Sequence, residues 1–355
     1  MSERIDSAER AVENAELSER KKQILAHVVE LYIKTGEPVG SKGLISATGM
    51  SVSSATVRNE MNELDQLGYL EQPHTSSGRI PSQKGYRYYV DNLMNNREVD
   101  ELTKRLIDAG ISSAVGDPEK LISKSREVLA NLTKCATVST APVGDMTLIK
   151  KIEVVPVGQY SAMMVLLTSN GILKSRLCRS DTEINASVLE SFYNIVKTFI
   201  IGKPAVEITP AYIQTVTAAL EGDYFALLPL LAAVSELADS VGDSKLIIGG
   251  SSNLLTFKDY GSNAVALLEF LSRSEPLTDV ISSAKGSLDI HIGTENKYKQ
   301  LENSSVIVSK YSVNGDDTGT ISVIGPTRMD YETIIPSIRY MTDLVGRLIT
   351  QALEE

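Results

Sequence analysis

The stretch SSATVRNEMNELDQLGYLEQPHTSSGRIPSQKGYRYY, residues 53–89, holds the clearest structural signals in the N-terminal part of this chain. It opens with a helical pattern whose apolar residues, spaced by four, three and three positions, share one face: Val57, Met61, Leu64 and Leu67. Gly68 fits the left-handed position that ends a helix. Two short extended runs, YLEQ and RIPS, then flank a polar turn, and another helix follows. The stretch therefore predicts a helix, a two-stranded hairpin and a second helix.

Two further helices are predicted before this stretch. Ser18 can cap a helix that Gly36 stops, and Ser41 can cap a short helix after the turn PVGSK. Helices joined by tight turns and followed by a two-stranded wing are typical of a winged helix-turn-helix. We expect this domain over residues 17–95, behind a disordered acidic extension at residues 1–16.

The formal charge is distributed unevenly along the chain. The whole chain carries a net charge of −10. Residues 1–16 hold two cations and five anions, a balance of −3; residues 17–90 hold nine and seven, a balance of +2; residues 91–355 hold 24 and 33, a balance of −9. The net charge argues against a general polyanion binder, but the locally positive segment coincides with the winged helix, as in nucleic-acid modules.

A DNA interface is predicted on the helix that follows Ser53 and on the wing. Arg58 can contact guanine and Asn59 can contact adenine from a helix lying in the major groove. The wing tip HTSSGR suits phosphate or minor-groove contacts, and basic residues around it can position the backbone. The candidate DNA-binding residues are Lys42, Ser53, Ser54, Thr56, Arg58, Asn59, His74, Thr75, Arg79, Lys84 and Arg87. Two alternatives stay open, a winged helix that binds protein and a purely structural domain.

Other functional classes find no support in the sequence. The longest apolar stretches, such as YFALLPLLAAV, are shorter than a membrane span, and the N-terminus lacks the apolar core of a secretory signal. The cysteines Cys135 and Cys178 form no CxxC motif, and the tyrosines at 86, 88 and 89 have the spacing of core or interface residues. We expect a cytoplasmic protein without metal, cofactor, membrane contact or catalytic site.

The remainder of the chain reads as a multidomain α+β protein. Residues 96–134 have a helical pattern, and strand-like runs begin at Cys135. Mostly helical sequence interrupts these runs from about residue 184, and strand-like runs return at SLDIHIGTEN. A final helix follows GPTRMDY. The pattern predicts an α+β domain with an insertion.

Several motifs together resemble the HrcA family of bacterial heat-shock repressors. They are SERKKQILAHVVELYIKTGEPVGSK, the stretch from residue 53 continued to YYVD, HIGTEN and GPTRMDY. Ser77 and Gly43 depart from what is usual in the family. The resemblance implies a winged helix, a GAF-like domain at 135–183 and 275–355, and a dimerisation domain inserted at 184–274. We expect the helical stretch over 96–134 to link the winged helix to the GAF-like domain.

The resemblance also implies the function. Members repress chaperone operons by binding an inverted-repeat operator as homodimers, and a GroEL-type chaperonin promotes the active form. Heat diverts the chaperonin to unfolded clients, and repression is lifted. A regulator that senses a small molecule through its GAF-like domain is the alternative, and an enzyme has no supporting constellation.

Overall fold

The computed structural model describes residues 17–73, 78–94, 98–140, 147–219, 225–242 and 246–354. The acidic extension expected at 1–16 lies outside them. The first domain contains three helices, α1 (Glu19–Thr35), α2 (Ser41–Thr48) and α3 (Ser54–Gln66). A wing of β1 (Leu70–Glu71) and β2 (Ile80–Pro81) follows, and then α4 (Gln83–Tyr88), which continues as a π-helical turn to Leu93. The predicted winged helix-turn-helix is confirmed.

The helix ends follow the predicted signals, with one exception. Ser18 accepts a hydrogen bond from the Lys21 amide, and Gly36 and Gly68 have φ values of 70° and 77°. Ser41, however, is the first residue of α2, and Gly40 occupies the cap position without a side-chain bond. The Ser41 hydroxyl is therefore available for a partner outside its own helix.

The second part of the chain is built on a five-stranded antiparallel sheet. Its strands are β3 (Ala136–Thr140), β7 (Leu246–Gly249), β8 (Leu288–Ile292), β9 (Ser304–Val313) and β10 (Asp316–Pro326), in the order β7-β3-β10-β9-β8. Successive side chains alternate between the two faces, as a strand requires. In β9, Ile307 packs toward one helical layer, and Val306 and Val308 pack toward the other. The mixed α+β architecture expected from the sequence is confirmed.

Helices cover both faces of this sheet. One layer contains α5 (Glu101–Ile111), α6 (Pro118–Thr133) and the C-terminal α12 (Tyr331–Glu354). The other contains α10 (Ala264–Leu271), α11 (Ser274–Ser282) and 3-10 turns over residues 251–263. Residues 96–134 were expected to be a linker, but Leu121 and Leu129 are fully buried in the same core as α12. The structure therefore places α5 and α6 inside the sandwich.

A separate unit is inserted between β3 and β7. It contains the antiparallel sheet β4 (Ile149–Gly158), β5 (Ser161–Thr168) and β6 (Leu173–Arg179), with helices α7 (Ala186–Phe199), α8 (Pro210–Ala218) and α9 (Leu228–Gly242). One hydrophobic cluster from Ile149 to Val241 joins strands and helices. The boundaries of the insertion therefore differ from the expected 184–274. The strands 149–179 belong to the insertion, and residues 246–274 belong to the sandwich.

The winged helix is docked against the sandwich through a shared core. A single hydrophobic cluster extends from the buried residues of α1 and α3 to those of α12. Tyr86 and Tyr89 of the fourth helical segment are 3% and 1% exposed, and the ring of Tyr86 lies 6.1 Å from that of Tyr331. The Tyr89 hydroxyl donates to Glu332 at 3.0 Å. The interpretation of these tyrosines as core and interface residues is confirmed.

Candidate nucleic-acid interface

Four hydroxyl groups form two hydrogen-bonded pairs at the N-terminus of α3. Ser53 caps the helix by accepting the Thr56 amide at 3.1 Å, and its hydroxyl lies 2.8 Å from the Thr56 hydroxyl. The hydroxyls of Ser41 and Ser54 lie 3.0 Å apart and join the N-termini of α2 and α3. Both helices of the helix-turn-helix are therefore fixed relative to each other at the end that would meet DNA. Free amides at a helix N-terminus favour a phosphate there.

Arg58 and Asn59 are exposed on the first turns of α3. Neither side chain has a hydrogen-bond or ion-pair partner among the described residues, and the same holds for the exposed Lys42 of α2. Arginine offers five donors in a fork that matches guanine or phosphate, and a free asparagine can pair one N–H donor and its oxygen acceptor with adenine. These three side chains have the chemistry and the exposure that base and phosphate contacts need.

The acidic residues of α3 are paired with cations from α1 and from the wing. Lys21 of α1 lies 3.3 Å from Glu60 and 2.8 Å from Glu63. The bond to Glu63 is the main cause that raises the pKa of Lys21. Asp65 is paired with Arg79 at 2.7 Å. Because these carboxylates already have cationic partners, they oppose a DNA backbone less than free carboxylates would.

Arg79 lies at the root of the wing and faces α3. Its side chain is 15% exposed; the guanidinium pairs with Asp65 and donates to the Asn62 amide oxygen at 2.9 Å. Its backbone exchanges two hydrogen bonds with Val39, of 2.8 and 2.9 Å. From the sequence, Arg79 was expected at the wing tip, for phosphate or minor-groove contact. The ion pair and the low exposure give it a different position, between the wing and the recognition helix.

Lys84 also has an internal partner. Its ammonium donates to the Leu67 carbonyl at 3.1 Å and lies 4.5 Å above the centre of the Tyr69 ring. A cation on one of the last carbonyls of a helix compensates the negative end of the helix dipole. The side chain remains exposed, so it caps α3 from the solvent side.

Arg87, expected to contact the DNA backbone, joins the winged helix to the sandwich. Its Nε donates to Glu295 at 3.0 Å, and its Nη2 donates both to the other oxygen of the same carboxylate and to the Ile290 carbonyl, the latter at 2.5 Å. The Arg87 and Glu295 side chains are 30% and 29% exposed. Beside them, the Gln83 amide oxygen accepts the Thr294 amide and hydroxyl at 2.9 and 2.6 Å. The motif HIGTEN therefore forms the interdomain joint.

The contact between Arg87 and Glu295 lowers the pKa of Glu295. Burial raises it, but the bonds from Arg87 and from the Ile292 amide outweigh burial, so that the net pKa lies below its ordinary value. The carboxylate is therefore held in its charged form at neutral pH. Sequence reasoning missed this pairing because 208 positions separate the two residues.

The remaining candidates fall outside the interface that can be described. His74 and Thr75 lie outside the described residues. Sequence reasoning left Asn62 out of the candidate site, although its polar side chain on the outer side of α3 is a visible signal. Within the described part of the chain, no group of three or more His, Cys, Asp or Glu side chains is arranged to hold a metal ion. No described helix has the length and apolarity needed to cross a bilayer.

Two grooves border α12. One of about 310 Å³ lies between α5 and α12, and its lining includes Glu101, Lys104, Arg339 and Asp343. The other, about 990 Å³, is an open surface groove whose lining includes Lys310 and Arg347. Small-molecule sites are mostly apolar with few polar groups. The larger groove lacks this composition, whereas the smaller one mixes charged side chains with apolar ones such as Ile335 and Val99.

Comparison with known proteins gives the family. Residues 16–93 match the family described as "Winged helix-turn-helix transcription repressor, HrcA DNA-binding", and residues 119–335 match "HrcA protein C terminal domain". The "Heat-inducible transcription repressor HrcA" of Thermoanaerobacter pseudethanolicus is 33% identical over 341 residues, 94% of this chain and 97% of that protein. The protein with the same name from Clostridioides difficile is 32% identical over 338 residues, 94% of this chain and 99% of that one.

A solved structure shares the fold. It is described as "Crystal structure of a hypothetical protein at 2.2 A resolution", and it superposes with a TM-score of 0.66 at 22% identity. The superposition covers 95% of this chain and 100% of that one. The capped α3 with its unpaired outward side chains agrees with a DNA-binding domain, and the family matches cover most of the chain. This chain therefore belongs to the HrcA family of winged-helix transcription repressors.

Proposed function

We propose that this protein is a cytoplasmic heat-inducible repressor of chaperone operons that binds an inverted-repeat operator as a homodimer. The observation that carries the proposal is the outer side of α3, where Arg58 and Asn59 are exposed and have no described partner. Each copy inserts α3 into the major groove of one half-site. Lys42 adds a backbone contact, and the Ser53-capped N-terminus of α3 faces a phosphate.

The overall acidity of the chain has a role in this function. A net charge of −10 disfavours indiscriminate binding to DNA, and the winged-helix segment carries the local positive charge that attracts it. A dimer contacts two half-sites at once, so that a modest affinity of each domain becomes specificity for a matched pair of sites.

The insertion supplies a surface suited to a second copy. Its helices cover one face of the sheet β4–β6, and the other face carries exposed apolar side chains. Val155, Met163 and Leu177 form one cross-strand row and are 55%, 37% and 51% exposed. An apolar sheet face on a soluble chain usually marks an interaction site, and a two-fold dimer buries the same patch on both copies. This face supports dimerisation through the insertion.

The chaperonin enters the proposal through the family resemblance. A GroEL-type chaperonin binds the repressor and increases the fraction that is competent for DNA. When heat diverts the chaperonin to unfolded proteins, that fraction falls and the operons are expressed. Addition of purified chaperonin to a dilute repressor tests this part: operator occupancy rises if the proposal is correct and is unchanged if it is wrong.

The DNA-binding proposal is tested by a mobility-shift titration. The wild-type chain and the Arg58→Ala variant are compared on the inverted repeat from a chaperone operon and on a scrambled duplex, at two salt concentrations. We expect selective, salt-dependent binding by the wild type. Arg58→Ala loses about 1–3 kcal/mol on the operator and less on the scrambled duplex. Equal wild-type affinity for both duplexes contradicts specific repression.

A further inference from the structure

Asn62 is the next outward-facing polar residue of α3. It follows Arg58 by four positions and Asn59 by three, so that the three side chains share one side of the helix. Its side chain is half-buried, and its amide oxygen accepts the Arg79 guanidinium at 2.9 Å. No described residue accepts a hydrogen bond from its amide nitrogen. The amide oxygen of Asn62 is therefore held by Arg79, and its amide nitrogen remains available to a further partner.

The partner decides which end is fixed. A guanidinium has only donors, so Asn62 must present its oxygen to Arg79, and its two N–H donors are turned away from the guanidinium. Arg79 itself has little freedom, because it pairs with Asp65 at 2.7 Å and its backbone bonds to Val39. A Cβ on the adjacent Gly78 would lie 2.4 Å from the Val39 carbonyl oxygen, which shows how closely the wing root approaches this turn.

We propose, on the basis of the DNA-binding function above, that Asn62 contacts the operator as a donor only and that Arg79 is its positioning residue. A donor-only amide can bond a phosphate oxygen, the N7 of either purine, guanine O6 or thymine O4. It cannot form the bidentate contact to adenine, which needs one donor and one acceptor. Asn59, one turn earlier and without a described partner, keeps both groups for adenine. The two asparagines on this helix face therefore recognise different arrangements of hydrogen-bonding groups on the DNA.

The fixed orientation also has an energetic consequence. A side chain ordered before binding loses little rotamer freedom when DNA arrives. Arg79, with a side chain that is 15% exposed, keeps Asn62 ordered in the free protein. The wing root thus determines both the position of the wing and the hydrogen-bonding character of the recognition helix.

Asn62→Asp is the decisive variant. Aspartate keeps an oxygen for Arg79, so the fold is retained, but it replaces the two outward donors with an acceptor. We expect operator affinity to fall at least about tenfold. Gln66→Glu is the matched control for added negative charge, since Gln66 is exposed one turn further along α3, and it should change affinity less than about threefold. Asn62→Ala removes the donors without adding charge and should also weaken binding severalfold.

Arg79→Lys tests the positioning role. Lysine can keep the ion pair with Asp65 but loses the planar fork, so that the Asn62 amide can turn. Binding is measured on a set of operators with single base-pair substitutions. We expect Arg79→Lys to change the ratios of affinity among these operators, whereas a purely structural residue would lower the thermal midpoint and leave the ratios unchanged.

The outcomes separate the two levels of the proposal. If the wild type does not distinguish operator from scrambled DNA, the proposed function fails. If the wild type is selective but Asn62→Asp and Asn62→Ala bind as well as Gln66→Glu, only the role of Asn62 is overturned. A loss with Asn62→Asp that is uniform across the operators identifies a phosphate acceptor, and a loss confined to one base pair identifies an acceptor on a base of that pair.

Discussion

Replacement of Arg87 by methionine should destabilise the protein without directly weakening its contact with DNA. In the structure Arg87 makes a two-point contact with Glu295, and both side chains are about 30% exposed. Arg87→Met leaves the Glu295 carboxylate with the Ile292 amide as its remaining described donor. Hydrogen bonds to charged groups contribute about 1.5–3 kcal/mol each when buried. Discounted for the exposed third of each side chain, the expected loss is about 2 kcal/mol.

A double-mutant cycle isolates the pair. Glu295→Gln should cost about 1–1.5 kcal/mol, and the double variant should cost less than the sum of the two by about 1 kcal/mol. The Arg87 bonds hold the pKa of Glu295 below its unfolded value, so the stabilisation is present above the unfolded pKa and is lost as the pH falls through the folded pKa. The stability difference between wild type and Arg87→Met should therefore narrow on acidification.

Urea denaturation of the four proteins at neutral and acidic pH measures these energies. Operator titration of the folded proteins, at a temperature well below their midpoints, measures the DNA contact. Arg87→Met should bind the operator within about threefold of wild type and with the same dependence on salt. An unchanged stability together with a weaker, less salt-dependent operator complex would falsify the interdomain assignment and restore Arg87 as a phosphate contact.

Three further predictions concern the cap, the wing and the insertion. Ser53→Ala removes the acceptor for the Thr56 amide and should lower the free energy of unfolding by about 1 kcal/mol, measured by thermal unfolding, with Ser53→Asp as the variant that keeps the cap. Gly85→Ala would place a Cβ 2.1 Å from the Tyr69 carbonyl oxygen, so we expect the free energy of unfolding to fall by about 1–3 kcal/mol in the same assay. A variant as stable as the wild type would show that α4 can shift away from this carbonyl at no cost. Leu177→Glu should convert a dimer to a monomer in sedimentation equilibrium, because each charge appears twice in a two-fold interface, and a variant that stays dimeric would exclude this face.

The limits of the insertion could not be derived from local pattern. Strands β4–β6 read as β structure in the sequence, and so do the strands of the five-stranded sheet. Nothing in an alternating pattern tells which sheet a strand joins, because antiparallel pairing is decided by contacts between distant segments. Ile149 and Val154 pack with Phe192 in the insertion, so the boundary at residue 183 was wrong, although the strands themselves were placed correctly.

Local signals in the sequence were enough to predict the winged helix and its outward-facing residues. Helical spacing, serine caps and glycines at positive φ are local signals, so they predicted α3, the wing strands and the exposure of Arg58 and Asn59 correctly. Which cations are free could be seen only in the folded chain. Arg79, Lys84 and Arg87 look like DNA contacts in the sequence, but each finds a carboxylate or a carbonyl on another element. A sequence shows how many cations the chain has. It does not show their partners, because these lie on other elements and come within bonding distance only when the chain folds.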